Sequence, residues 1–214
     1  RSSSQRVILA ASLSTGLQGM SATQEIGVYL VQALSSLLLI VIVLRGVLHA
    51  VRADFYNPIT QFVVKATNPV IAPLRKLIPF SGRVDPAAVL LALLVQGLGI
   101  ALVLWFSGFM PPNPLLLLGW SVIGVASLLV NMYFIALIAM IVISWVAPGS
   151  HNPAIYLLYQ ITEPVMAPVR SLLPNMGGLD FSPILLFILI NVVQIALRHM
   201  AASVGLPASL VIGL

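Results

Sequence analysis

Cysteine is absent from this chain, which excludes disulfides, thiolate metal sites and a cysteine nucleophile. Charge is nearly as scarce: Asp, Glu, Lys and Arg make up 7% of 214 residues, against about a quarter in a soluble domain. The three histidines (His49, His151 and His199) are far apart and share no metal-ligand spacing. A nucleophile elbow, a Gly-rich phosphate loop and paired carboxylates are likewise missing. These gaps argue against an enzyme and leave no expected metal or cofactor.

What the chain has in abundance is apolar sequence, at 60% of residues. A soluble fold of this size could not hide so much apolar surface, so much of its solvent must be lipid. A span needs about 20 apolar residues. The pattern predicts an all-α membrane protein of about four transmembrane helices, near 26–50, 86–109, 126–146 and 183–204. The 115–146 run is too long for one perpendicular span. It is read as an interfacial piece over 115–125 feeding a span over 126–146, in preference to one long tilted helix.

Two loops carry the same motif 95 residues apart. NPITQFVVKATNPVIAPLRKLIPFSGRVD runs from Asn57 to Asp85, and NPAIYLLYQITEPVMAPVRSLLPNMGGLD from Asn152 to Asp180. Fixed-period self-similarity of this kind marks one unit used twice. The expected organisation is an N-terminal extension over 1–25, a first repeat over 26–109, a turn and interfacial segment over 110–125, a second repeat over 126–204 and a tail over 205–214. Each unit holds two spans, so the copies are expected to be parallel rather than inverted. Ser14, Thr15 and Gly16 interrupt any signal-like apolar region in the extension, which is expected to be disordered, with Met20 a candidate start.

Lys and Arg bias sets the expected topology. The first loop carries Arg52, Lys65, Arg75, Lys76 and Arg83, and the 110–114 turn carries none. This predicts an inner (plasma) membrane protein with cytoplasmic repeat loops and both termini outside. The second loop, with Arg170 alone, follows by symmetry. A net charge of +5 dispersed over loops favours the bilayer and its anionic headgroups as a counterpart over nucleic acid.

Within each loop, Asn57-Pro58 and Asn152-Pro153 fit an N-cap followed by proline at the first helical position. Asn68-Pro69 and Glu163-Pro164 suggest a restart, giving two short helices per loop, with Pro73 and Pro168 tightening the second. Apolar residues at helical spacing and the cations Lys65, Arg75 and Lys76 suit helices lying in the headgroup plane; a lid packed onto the spans fits equally. Pro79 and Pro174 close the motif. Arg75 with Asp85, and Arg170 with Asp180, admit a loop-closing ion pair, although capping of the next span by each Asp is preferred. Gly177, like Gly82, suits a turn. Gln96, Asn131 and Asn191 in the spans read as interhelical polar glue.

At these residues the sequence resembles the YggT family, also called YlmG. The resemblance rests on DFYNPITQFVVKATNPVIAPLRKLIP, on NPAIYLLYQITEPVMAPVRSLLPNMGGLDFSPI, on Arg75 and Arg170, and on the proline register. It covers roughly 32–199. The first copy departs at Gly82-Arg83-Val84-Asp85-Pro86, which lacks the second glycine and the Ser-Pro pair. The resemblance implies a role in membrane-bound assembly, such as cell-division neighbourhoods, plastid nucleoid distribution or cytochrome cofactor attachment, with osmotic stress and ion uptake as an alternative. It brings no catalytic residues. The expected function is a non-enzymatic scaffold or assembly factor whose loops organise lipid or unidentified membrane or cytoplasmic proteins, with a homo-oligomer open; the alternative is an ion transport component.

Overall fold

The computed structural model describes residues 21–78, 82–147, 149–150, 152–173, 181–211 and 214. Among them are six α-helices: α1 (Ala22–Ala50), α2 (Pro58–Leu77), α3 (Pro86–Phe106), α4 (Pro114–Val146), α5 (Pro153–Leu172) and α6 (Ser182–Ser203). Four of these, α1, α3, α4 and α6, are long and apolar enough to cross a membrane. The remaining two, α2 and α5, are the repeat loops. The protein is an all-helical, multi-pass membrane protein built from two span–loop–span repeats.

Local sequence explains where the helices begin. Ser21 and Gln24 exchange bonds in a capping box ahead of α1, Ser21 N donating to Oε1 and Gln24 N to Oγ. Asn57, Asn113 and Asn152 accept from the first-turn amides of α2, α4 and α5, and each is followed by a proline that has no amide to leave unpaired. Helix ends follow one pattern at three places. The amides of Ala53, Phe109 and Leu206 bond back five residues, to Leu48, Leu104 and Ala201, closing a Schellman turn. The residue in the left-handed position is Gly108 after α3 and Gly205 after α6, but Arg52 after α1, at φ 53°.

Two expectations are corrected. Each repeat loop is one 20-residue helix with its prolines inside, not two short ones. Pro69, Pro73, Pro164 and Pro168 all lie on exposed faces, so the carbonyls that lose a partner point outward and can be solvated. Residues 114–146 likewise form one 33-residue helix rather than an interfacial piece and a span. No proline interrupts it after Pro114, and Trp120 and Ile123 in its first half are held in a core.

The chain divides into two compact units. One comprises the residues up to Ile40, Leu90–Leu128 and Gln194–Leu214. Its core gathers Ile100, Leu104, Trp120, Ile123, Ala201, Leu206 and Val211, and Trp120 Nε1 donates to the Val204 carbonyl at 3.2 Å. Gly124 lets the Gln96 side chain approach so closely that a Cβ there would sit 2.9 Å from it, a small-residue contact typical of membrane helices. The other unit comprises Val41–Val89 and Leu129–Val193 and contains both loop helices. Leu137, Met140, Met166, Val169, Leu186 and Ile190 form one of its cores, and Leu48, Val63 and Leu157 form another.

Candidate functional site

The second unit holds the loop motif. On α2, Thr60, Val63, Thr67 and Ile71 are buried at helical spacing, while Phe62, Lys65, Pro69, Val70, Pro73 and Lys76 are exposed. On α5, Leu157, Thr162, Met166 and Val169 are buried, with Tyr156, Tyr159, Glu163, Pro164, Pro168 and Arg170 outside. Both helices are amphipathic, with the inward stripe docked on span ends and the outward one exposed.

The two loop helices touch at their N-termini. Asn57 caps its own helix through Oδ1 and donates Nδ2 to the Pro153 carbonyl at 2.7 Å. Just upstream, the Asp54 amide donates to Gln160 Oε1 at 3.2 Å. Asn57 was expected from sequence only as a cap; its second bond joins the copies. Asn152 caps without such a link, and Pro58 and Pro153 occupy first helical positions.

Polar anchors then fix each helix to the spans. In the first copy Arg45, 4% exposed, donates through Nη1 to Thr67 Oγ1 at 2.6 Å and to the Val64 carbonyl at 3.1 Å. In the second, Thr162 Oγ1 lies 3.3 Å from Met140 Sδ. Positions 45 and 140, like 67 and 162, are separated by the repeat period, so one contact is built with a guanidinium and once more with a thioether. A cation this close to the end of a span could snorkel to the interface, but the hydrogen bonds of Arg45 point inward to α2.

Arg75 and Arg170 differ in partner. Arg75 Nη2 donates to Asp85 Oδ2, whose side chain is 0% exposed. Asp85 Oδ1 also accepts from Ala88 N at 3.4 Å, so the ion pair and the capping role, set against each other in the sequence, occur together. Burial alone would raise the Asp85 carboxyl pKa, but the hydrogen bond and charge of Arg75, the Ala88 amide and the charge of Arg45 hold it below its ordinary value. Arg170 pairs with Glu163 at 2.9 Å, both half exposed. Position 68 in the first copy is Asn, which offers no such charge. Asp180, with Pro79, Pro174 and Gly177, lies outside the described residues.

The span amides do not form one set. Gln96 is buried against Gly124, and Asn131 is half-buried on α4. Asn191 is exposed and donates to the Phe187 carbonyl of its own helix, not to another helix as expected: its amide closes onto its own backbone. Among the described residues no cluster of three His, Cys, Asp or Glu could hold a metal.

A family model described as CCB3/YggT matches residues 24–106 and again 119–201. An uncharacterized protein of Pseudomonas aeruginosa is 45% identical over 185 residues, covering 86% of this chain and 94% of that protein. The uncharacterized protein YggT of Escherichia coli K12 is 34% identical over 183 residues, covering 83% and 92%. An uncharacterized protein of Vibrio alginolyticus is 40% identical over 161 residues, covering 75% and 86%. No solved structure matches the chain.

Proposed function

This chain belongs to the CCB3/YggT family, and on that premise we propose that it is a non-enzymatic scaffold or assembly factor of the bacterial inner membrane. In this reading the loop helices face the cytoplasm, the termini lie outside, and α2 and α5 together form a platform that organises lipid or partner proteins. One observation carries it. Two amphipathic helices, joined through Asn57 and Pro153, present Phe62, Val70, Tyr156 and Tyr159 outward, with Lys65 and Lys76 exposed on α2. Such helices seat apolar residues below the headgroups and keep cations at their level.

In-cell photo-crosslinking from Phe62 and Tyr156 tests this. Discrete adducts with a membrane or cytoplasmic protein, or with lipid, are expected. Adducts with solvent and other copies of the chain alone would contradict it.

A further inference from the structure

We infer that a cleft at the corner between α1 and α2 binds a phosphate-bearing anion, either the headgroup of an anionic phospholipid or a free phosphate. The inference deepens the scaffold reading and rests on it only for the lipid source. The cleft measures about 400 Å³, and Arg45, His49, Arg52, Thr60 and Arg75 contribute to its lining. No carboxylate lines it. Asp85 is hydrogen-bonded to Arg75 and acts on Arg45 only through its charge, so one carboxylate answers the guanidiniums of Arg45, Arg52 and Arg75.

Arg45 states the problem most sharply. A guanidinium this buried ordinarily needs a counter-charge. The ion pairs among the described residues join Arg75 to Asp85 and Arg170 to Glu163, and Arg45 belongs to neither. Its two acceptors are neutral oxygens, and both bonds leave from Nη1, so Nε and Nη2 stay available to a ligand. Thr60, 5% exposed, supplies a second group in want of a partner: its buried hydroxyl makes no hydrogen bond. Guanidinium and hydroxyl donors are the groups that recognise phosphate oxygens.

The backbone adds an independent sign. Arg52 holds the left-handed position that glycine fills after α3 and α6. A side chain there is strained, and what the strain gains is a third arginine at the cleft mouth.

The second repeat provides an internal comparison. Its corresponding cleft, about 470 Å³, is lined by Met140, Ser144, Tyr159 and Arg170, which stand one repeat period from Arg45, His49, Val64 and Arg75. The position matching Arg52 is Ala147, and the one matching Thr60 is Ile155. Arg170 is already paired with Glu163, which lines the same cleft. The fold therefore does not require the cations of the first cleft.

The test uses the full chain in a neutral detergent, titrated with short-chain phosphatidylglycerol, with phosphatidylcholine, and with sodium phosphate against sodium chloride at equal ionic strength. Binding is followed by tryptophan fluorescence and by the unfolding midpoint. Phosphatidylglycerol, inorganic phosphate or both should bind about tenfold tighter than phosphatidylcholine and chloride, as one or two charge-assisted hydrogen bonds allow. A phosphatidylglycerol response alone assigns a lipid, and a phosphate response alone assigns a free phosphate. Arg52→Gly should weaken binding by about tenfold while keeping or raising the ligand-free midpoint. Arg45→Met, which copies the Met140–Thr162 contact, should fold and lose binding to a similar degree. Anion binding no stronger than the controls, or both variants binding as the wild type does, would overturn the site. Anion binding without crosslinked partners from positions 62 and 156 keeps the site and removes the protein-organising role; the reverse result removes the site alone.

Discussion

Asp85 is the residue where the loop is closed. Its carboxylate is buried, bonded to Arg75 and to the first turn of α3, so losing it strands a partly buried arginine and uncaps a span. Asp85→Asn should cost about 2–3 kcal/mol at neutral pH, the worth of a hydrogen bond to a charged group, measured as a lowered unfolding midpoint in detergent. The pH dependence has a definite sign. Because the folded pKa is depressed, the contribution is complete above the unfolded value of about 3.9 and is lost as pH falls through the lower folded value. The gap between wild type and Asp85→Asn should therefore be flat near neutrality and close below about pH 4. A gap that stays constant into acid would contradict the ion pair.

The ten-residue spacing of Arg75 and Asp85 was visible in sequence, and the pair forms. The same arginine in the second copy turns to Glu163, because a carboxylate stands seven residues upstream there where the first copy has Asn68. Arg45 was visible only as a cation near the end of a span. Its contact with Thr67 crosses from one helix to another, and nothing in local sequence specifies that.

At the scale of elements, the two loop helices are defined by their opposite faces. Ile71 is 0% exposed and Phe62 is 67% exposed, although both are large apolar residues of one helix. Ile71→Ala should cost roughly 2–4 kcal/mol through a cavity under α2. Phe62→Ala should leave stability in detergent within about 0.5 kcal/mol yet weaken crosslinking to lipid or partner. Equal destabilisation by the two would show that α2 is buried on both faces. The proline positions explain why sequence suggested a restart that does not occur. Proline forbids a backbone bond, but it does not end a helix whose opened carbonyls face outward. Pro69→Ala should accordingly stabilise the fold by on the order of 1–3 kcal/mol, read as a raised unfolding midpoint. The length of α4 misled for a related reason. An apolar run longer than one span can be a break or a single helix, and the choice falls to the packing of Trp120 and its neighbours rather than to composition.

For the molecule as a whole, duplication was the most legible feature, because it needs only self-comparison along the chain. It yielded the two repeats. It also misled where the copies have diverged: Gln96 is buried while Asn191, its counterpart, is exposed. The scaffold reading predicts no ion flux from reconstituted protein under any imposed gradient. Sustained, selective flux would instead favour the transport alternative.

In the proposed arrangement both repeat loops share one membrane face and make one platform. The native chain has no cysteine, so single-cysteine variants report without background, and Ala72 and Ala167 are exposed, equivalent positions on α2 and α5. Membrane-impermeant thiol labelling of Ala72→Cys and Ala167→Cys in intact cells and in lysed membranes is the most direct measurement. Both positions should stay protected in cells and react after lysis. Labelling of one in intact cells, with protection of the other, would place the two loops on opposite faces and rule out a shared platform.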